Sequence, residues 1–201
     1  MSQQVDFFFS PGSRYSYLAA SQVPKLEREF GCGFSWRPVL GPDIRALRGR
    51  DPFVGPPLSG QYEWPYREAD AKAWAELYGI PFHEPRSRDF DARLLVRAAV
   101  VSRMLDRVAE YSWALTSAVW GRQAWPIDEA LCLSVARSLD LDAQRFAELL
   151  HSPAVDDALA SAVREAFERG AFGLPTFFFA GRMFWGNDRI PLLRHALGKA
   201  R

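Results

Sequence analysis

The tetrad Ser13-Arg14-Tyr15-Ser16 lies between two readable segments. Before it, Val5-Asp6-Phe7-Phe8-Phe9 reads as a buried strand, and after it Tyr15 to Phe30 reads as a helix. The turn cluster Ser10-Pro11-Gly12-Ser13-Arg14 puts Ser13 at the helix start. There, unpaired backbone N–H groups and the positive end of the helix dipole favour a nearby anion. A hydroxyl at that point can donate a hydrogen bond to a thiolate. The alternative is that Ser13 only caps the helix.

A second stretch with chemical potential closes the chain. Phe177 to Ala180 reads as a strand, Gly181-Arg182 as a turn, and Met183 to Trp185 as the returning strand. Asn187 or Asp188 can cap the helix that Ile190 to Leu197 continues. Pro175 opens this hairpin. A proline there belongs at an edge, at a strand's first residue, or in a cis turn. A cis Leu174-Pro175 bond would leave the Leu174 N–H and C=O free to pair with a peptide-like ligand; a plain strand-opening proline is the other reading.

The elements that must position these groups form a simple order. Phe34 to Leu40 reads as a second strand, parallel to the first through a right-handed crossover. From Gly41 to about Tyr66 the chain is rich in Pro and Gly, which makes a segment too long for an ordinary connection. Helices are expected at Arg67 to Tyr78, from Asp89 or Asp91 through Tyr111, and around Ser112 to Trp120. Three more are expected at Asp128 to Ser138, Asp142 to His151 and Ala154 to Arg169. The expected fold class is α/β: a thioredoxin-like domain (1–66 and 170–201) with a large all-helical insertion (67–169).

The 201 residues carry a net charge of +1, with 48% hydrophobic and 14% aromatic residues. That excludes a disordered chain and gives no global field for nucleic acid or an anionic membrane. No apolar run reaches bilayer length. The start, Met1-Ser2-Gln3-Gln4, has no basic region and reads as no secretory signal, so a cytoplasmic setting is expected. Cys32 and Cys132 form no Cys-x-x-Cys pair, and His83, His151 and His195 match no metal spacing; no metal is expected. The seven tryptophans are expected in the core or in dimer contacts.

Two motifs carry a resemblance. The opening from Val5 through Ser13-Arg14-Tyr15-Ser16-Tyr17-Leu18-Ala19 resembles that of the 2-hydroxychromene-2-carboxylate isomerases, relatives of kappa-class glutathione transferases and DsbA oxidoreductases. Gly170 to Phe177 and Phe184-Trp185-Gly186-Asn187-Asp188-Arg189 are similar to the closing signature of that family, so the resemblance brackets nearly the whole chain. It implies a homodimeric, glutathione-dependent isomerase of an aromatic 2-oxo acid, acting in aromatic degradation. Where DsbA-like oxidoreductases carry Cys-x-x-Cys, this chain has Ser13, Arg14, Tyr15 and Ser16, so the sulfur must come from glutathione. The resemblance makes Ser13 the catalytic residue that stabilises the thiolate. It makes Leu174, Pro175, Gly186, Asn187 and Asp188 the residues that bind glutathione, with Asp188 taking the ammonium of the γ-glutamyl end.

Three departures from the family pattern introduce arginine. Arg14 replaces the proline that usually follows the serine, the loop after the second strand carries Arg45 and Arg50, and Arg93 stands where relatives often have Asn. Arginine grips carboxylates with a bidentate fork, so Arg14, Arg45, Arg50 and Arg93 are the expected contacts to a small anionic aromatic substrate. The same departures keep two alternatives open: a kappa-like glutathione S-transferase, and a non-catalytic thioredoxin-like binding protein.

Overall fold

The computed structural model describes residues 3–49 and 63–200. Its four strands are β1 (Gln4–Phe9), β2 (Gly33–Pro38), β3 (Thr176–Phe179) and β4 (Arg182–Trp185), ordered β2-β1-β3-β4. β1 and β2 are parallel with Phe7 beside Trp36; β3 runs antiparallel to both β1 and β4. This mixed four-stranded sheet accompanied by many helices is the α/β architecture expected of a thioredoxin-like domain with helical additions. Ten α-helices are described. They are α1 (Arg14–Ala20), α2 (Val23–Phe30), α3 (Gly41–Leu47), α4 (Trp64–Tyr78), α5 (Ala92–Met104), α6 (Val108–Thr116), α7 (Glu129–Ser138), α8 (Ala143–Leu150), α9 (Pro153–Glu168) and α10 (Ile190–Lys199). Every described strand falls within residues 4–38 or 176–185.

The phenylalanine runs explain the sheet. Phe7 to Phe9 of β1 and Phe177 to Phe179 of β3 are unbroken apolar runs because both sheet faces are covered there. On one face Phe7 stacks on Phe9 and on Phe177, with ring centroids 5.1 and 4.8 Å away, above α2 and α10. On the other face Phe8 meets Phe178 edge-on and joins the core made by α5 to α9. Offset and edge-on pairs of this kind each add about 0.5–1.5 kcal/mol beyond the area they bury.

Five expectations are corrected. The first helix breaks at Ser21-Gln22, because Pro24 in the first turn of α2 supplies no N–H to the preceding turn. The Gly- and Pro-rich segment opens with a helix, α3, whose Pro42 lies in the first turn, where a missing N–H costs nothing. The long helix through Tyr111 is two, α5 and α6, separated where Asp106 takes φ +55°, a left-handed conformation no right-handed helix can continue. The hairpin turns one residue early, at Ala180-Gly181, with φ +49° and +73°. Neither Asn187 nor Asp188 caps α10: they form a 3-10 turn with Arg189, and the helix begins without a side-chain cap.

Candidate functional site

The loop between β1 and α1 is held from both ends. The Ser10 N–H donates to the buried Ser16 Oγ (3.2 Å), and the Ser13 N–H donates to the Ser10 carbonyl (3.0 Å). Ser13 is the N-cap of α1: its Oγ accepts from the Ser16 N–H at 3.3 Å. That leaves the hydroxyl proton free to be donated elsewhere. From far along the chain, the Trp120 indole N–H donates to the Pro11 carbonyl (2.8 Å). Trp120 belongs to a π-helical turn, Ser117–Gly121, that extends α6. Gly12 allows a close approach, since a Cβ there would lie 3.0 Å from that of Ala92 at the start of α5.

Arg14 points inward and is only 4% exposed. Its Nη1 lies 2.6 Å from Glu84 Oε1, and its guanidinium sits 3.9 Å from the centroid of Trp64. Arg88 stacks on the same indole at 3.2 Å. Burial pulls the Arg14 pKa down, opposed by Glu84. Burial also pushes the Glu84 carboxyl up, opposed by Arg14. Arg14 Nη1 and both Glu84 oxygens are shut off from solvent without an aligned hydrogen bond, so their contact is one of charge alone.

These residues line a cavity of about 370 Å³ that includes Ser13, Arg14, Arg67, Glu84, Arg88 and Trp120. A second cavity of about 430 Å³ is lined by Asp70, Trp74, Leu174, Gly186, Asn187 and Asp188, among others. Tyr15 borders both. Its hydroxyl donates to Asp70 Oδ2 (2.9 Å), and its pKa is pushed up to about 12 by burial and then by that bond.

The closing motif shapes the second cavity. The Leu174-Pro175 bond is cis, as is Trp125-Pro126. The Pro175 carbonyl accepts from the Gly186 N–H (2.8 Å), and Thr176 Oγ1 donates to the Gly173 carbonyl (2.7 Å). Among the described residues, the Leu174 N–H and C=O make no hydrogen bond. Gly186 has φ +103°, a conformation that suits glycine alone. Asn187 is 3% exposed and its Nδ2 has no partner among the described residues. The Tyr78 hydroxyl donates to the Asn187 carbonyl (3.4 Å). Asp188 pairs with Arg189 at 3.0 Å.

The structure therefore gathers Ser13 with Arg14 in one cavity, and Leu174 with Gly186, Asn187 and Asp188 in its neighbour. Pro175 supports the second from outside its lining. Arg45 and Arg93 line neither: Arg93 Nη2 donates to both carboxylate oxygens of Asp43 on α3 (2.7 and 2.9 Å), and Arg45 lies on α3 with Nη1 3.4 Å from where a Gly41 Cβ would stand. Arg50 lies outside the described residues. Sequence reasoning missed Arg67, Arg88, Glu84, Trp64 and Trp120. Local pattern gives no sign of them, because three separate segments bring them to Ser13. Among the described residues no cluster of His, Cys, Asp or Glu could hold a metal ion, and no helix is long and apolar enough to cross a membrane.

Residues 4–198 match the family of DSBA-like thioredoxin domains. The chain is 32% identical over 200 residues to the 2-hydroxychromene-2-carboxylate isomerase of Sphingobium xenophagum, covering 98% of this chain and 99% of that one. It is 25% identical to human glutathione S-transferase kappa 1, covering 99% and 92%. The solved structure of a 2-hydroxychromene-2-carboxylate isomerase superposes with a TM-score of 0.87 at 31% identity, covering 98% and 95%.

Proposed function

Because the chain belongs to the 2-hydroxychromene-2-carboxylate isomerase family, within the DSBA-like thioredoxin proteins, and is an isomerase, we propose that it uses glutathione to isomerise an aromatic 2-oxo acid of that type during aromatic degradation. The observation that carries this reading is the pair of adjoining cavities with Tyr15 between them. One offers free peptide groups and the other a hydroxyl beside buried arginine.

The residues present fit the tripeptide. Leu174 presents an unpaired N–H and C=O to a peptide backbone. The orphaned Asn187 Nδ2 can donate to a carbonyl or carboxylate, and the Asp188 carboxylate can hold an ammonium. Gly186 and Pro175 set the backbone that places them. When bound, glutathione supplies a thiol that adds reversibly to a conjugated double bond. Before addition and again on its expulsion, Ser13 would donate a hydrogen bond to the sulfur, keeping its own proton and holding the sulfur as thiolate. Arg14, with Arg67 and Arg88 beside it, meets the substrate carboxylate, and the Trp64 and Trp120 rings keep the site dry. Arg45 and Arg93 stand on the neighbouring helices α3 and α5 outside both cavities, and with Arg93 paired to Asp43 neither is given a substrate contact in this reading.

We further propose that residues 67–169 form a helical insert carried by 1–66 and 170–201, that the protein is a homodimer, and that it works in the cytoplasm. The direct test adds the open-chain hydroxybenzylidenepyruvate with and without glutathione and analyses the products. Turnover that requires glutathione and returns it unchanged is expected. Glutathione retained in the product would move the assignment to a kappa-like transferase. Glutathione bound without turnover would make the protein a binding module.

A further inference from the structure

Among the described residues Glu84 is the one carboxylate that lines the arginine-lined cavity, and it takes no part in holding the tripeptide. Both its oxygens are closed to solvent and lack an aligned hydrogen bond, an expensive arrangement for a charged group. Its backbone is fixed, because Gln123 Nε2 donates to the Glu84 carbonyl (2.6 Å). The charged groups that face it are Arg14 of α1, Glu68 and Lys72 of α4, and Arg88 of its own loop. Arg14 opposes the burial that raises the Glu84 pKa, while Glu68 adds to it.

Resting on the isomerase reading, we propose that Glu84 is a further acid–base residue of this enzyme: it takes up a proton when the substrate carboxylate replaces it as the partner of Arg14, and it shuttles protons in the opening of the chromene ring. The exchange follows from charge. An anion brought to Arg14 cancels the attraction that keeps Glu84 ionised and adds a repulsion of its own. Released from Arg14, the neutral carboxyl turns from its closed position into the cavity that Glu84 lines, where the reacting ring and Ser13 lie. In ring opening its O–H proton passes to the ring oxygen as the C2–O bond breaks and its electron pair moves to that oxygen. The other Glu84 oxygen takes the proton of the 2-hydroxyl, whose O–H pair becomes part of the new carbonyl. One proton leaves Glu84 and one returns, and no oxidant or reductant is needed.

The test is calorimetric titration of trans-hydroxybenzylidenepyruvate into the protein at pH 6, 7 and 8, in pairs of buffers with different ionisation enthalpies. The thiol-free tripeptide γ-glutamyl-alanyl-glycine is present in one series, to prevent turnover, and absent in the other. Wild type is expected to take up a substantial fraction of one proton per substrate bound at one or more of these pH values. Glu84→Gln is expected to take up none and to open the chromene ring about a hundredfold more slowly, while the thiolate absorbance of bound glutathione stays as in wild type. No uptake by wild type at any of the three pH values would overturn the proposal without needing a folded variant, and so would equal uptake by Glu84→Gln. A failed glutathione requirement would instead leave the tripeptide-free series intact, so the two readings fail separately.

Discussion

The two cavities that meet at Tyr15 are built on opposite principles. The one at Leu174, Gly186, Asn187 and Asp188 owes its shape chiefly to backbone: a cis bond, a positive φ, and free peptide groups within fifteen consecutive residues. The one at Ser13 is made of long side chains, with Arg14, Trp64, Glu84, Arg88 and Trp120 converging from four distant places. A backbone site suits a ligand that is itself a peptide and is little altered by single side-chain substitutions. A side-chain site can be rebuilt by single substitutions, and the arginine after Ser13 is such a change. On the proposed reading, the contrast separates the glutathione half of the site from the oxo-acid half.

The largest expected effect falls where the two sites meet in function. Ser13→Ala should slow turnover by about ten- to a hundredfold, the equivalent of roughly 1.5–3 kcal/mol for a lost hydrogen bond to a charged group. It should raise the thiol pKa of bound glutathione, read from thiolate absorbance against pH, while glutathione affinity changes far less. Loss of the cap should also cost about 1 kcal/mol of stability. A drop in melting temperature with unchanged thiol titration would leave only the cap.

Arg14→Lys keeps the charge and removes the fork. The expectation is about a tenfold rise in KM for the oxo acid, following from the weaker geometry of a point charge, with KM for glutathione unmoved. A rise in both would erase the division between the cavities. Asp188→Asn should do the converse on a smaller scale. KM for glutathione should rise several-fold, the equivalent of about 1 kcal/mol for a half-exposed charge, with KM for the oxo acid held.

The smallest effect lies outside both sites and appears only in alkali. Cys132 is fully buried and its thiol is pushed up to about 12 from 9.0, first by burial. A raised acid stabilises the fold fully below its unfolded pKa and loses that contribution as pH climbs through the folded one. Stability should therefore decline from about pH 9 toward 12. Tyr15 and Tyr17, each pushed up to about 12 from 10.0, join above pH 10. Cys132→Ala should flatten the first part of that decline in melting curves taken at each pH, without altering either KM.

The same contrast governs what the sequence disclosed. The strand runs, the hairpin and the two end motifs were legible because each is local. Consecutive phenylalanines covered on both faces, a proline at a strand mouth and a Gly-Asn-Asp corner carry their meaning within a few residues. The helix breaks at Ser21 and Asp106 were not, because apolar periodicity continues across them while the backbone does not. Glu84, Arg88 and Trp64 were hidden for a further reason. Nothing near them in the chain explains a buried charge, and only Arg14, folded in from α1, gives them a common place.

The bond from the Trp120 indole to the Pro11 carbonyl bears on how far the opening motif could travel by itself. Residues 10–16 could be copied into another thioredoxin scaffold letter for letter. Without an indole arriving from 109 positions downstream, the Pro11 carbonyl would lose its donor and the serine loop its anchor. The motif is thus not a cassette: it works as half of a lock whose other half is written in the middle of the chain, and any transplant has to move both.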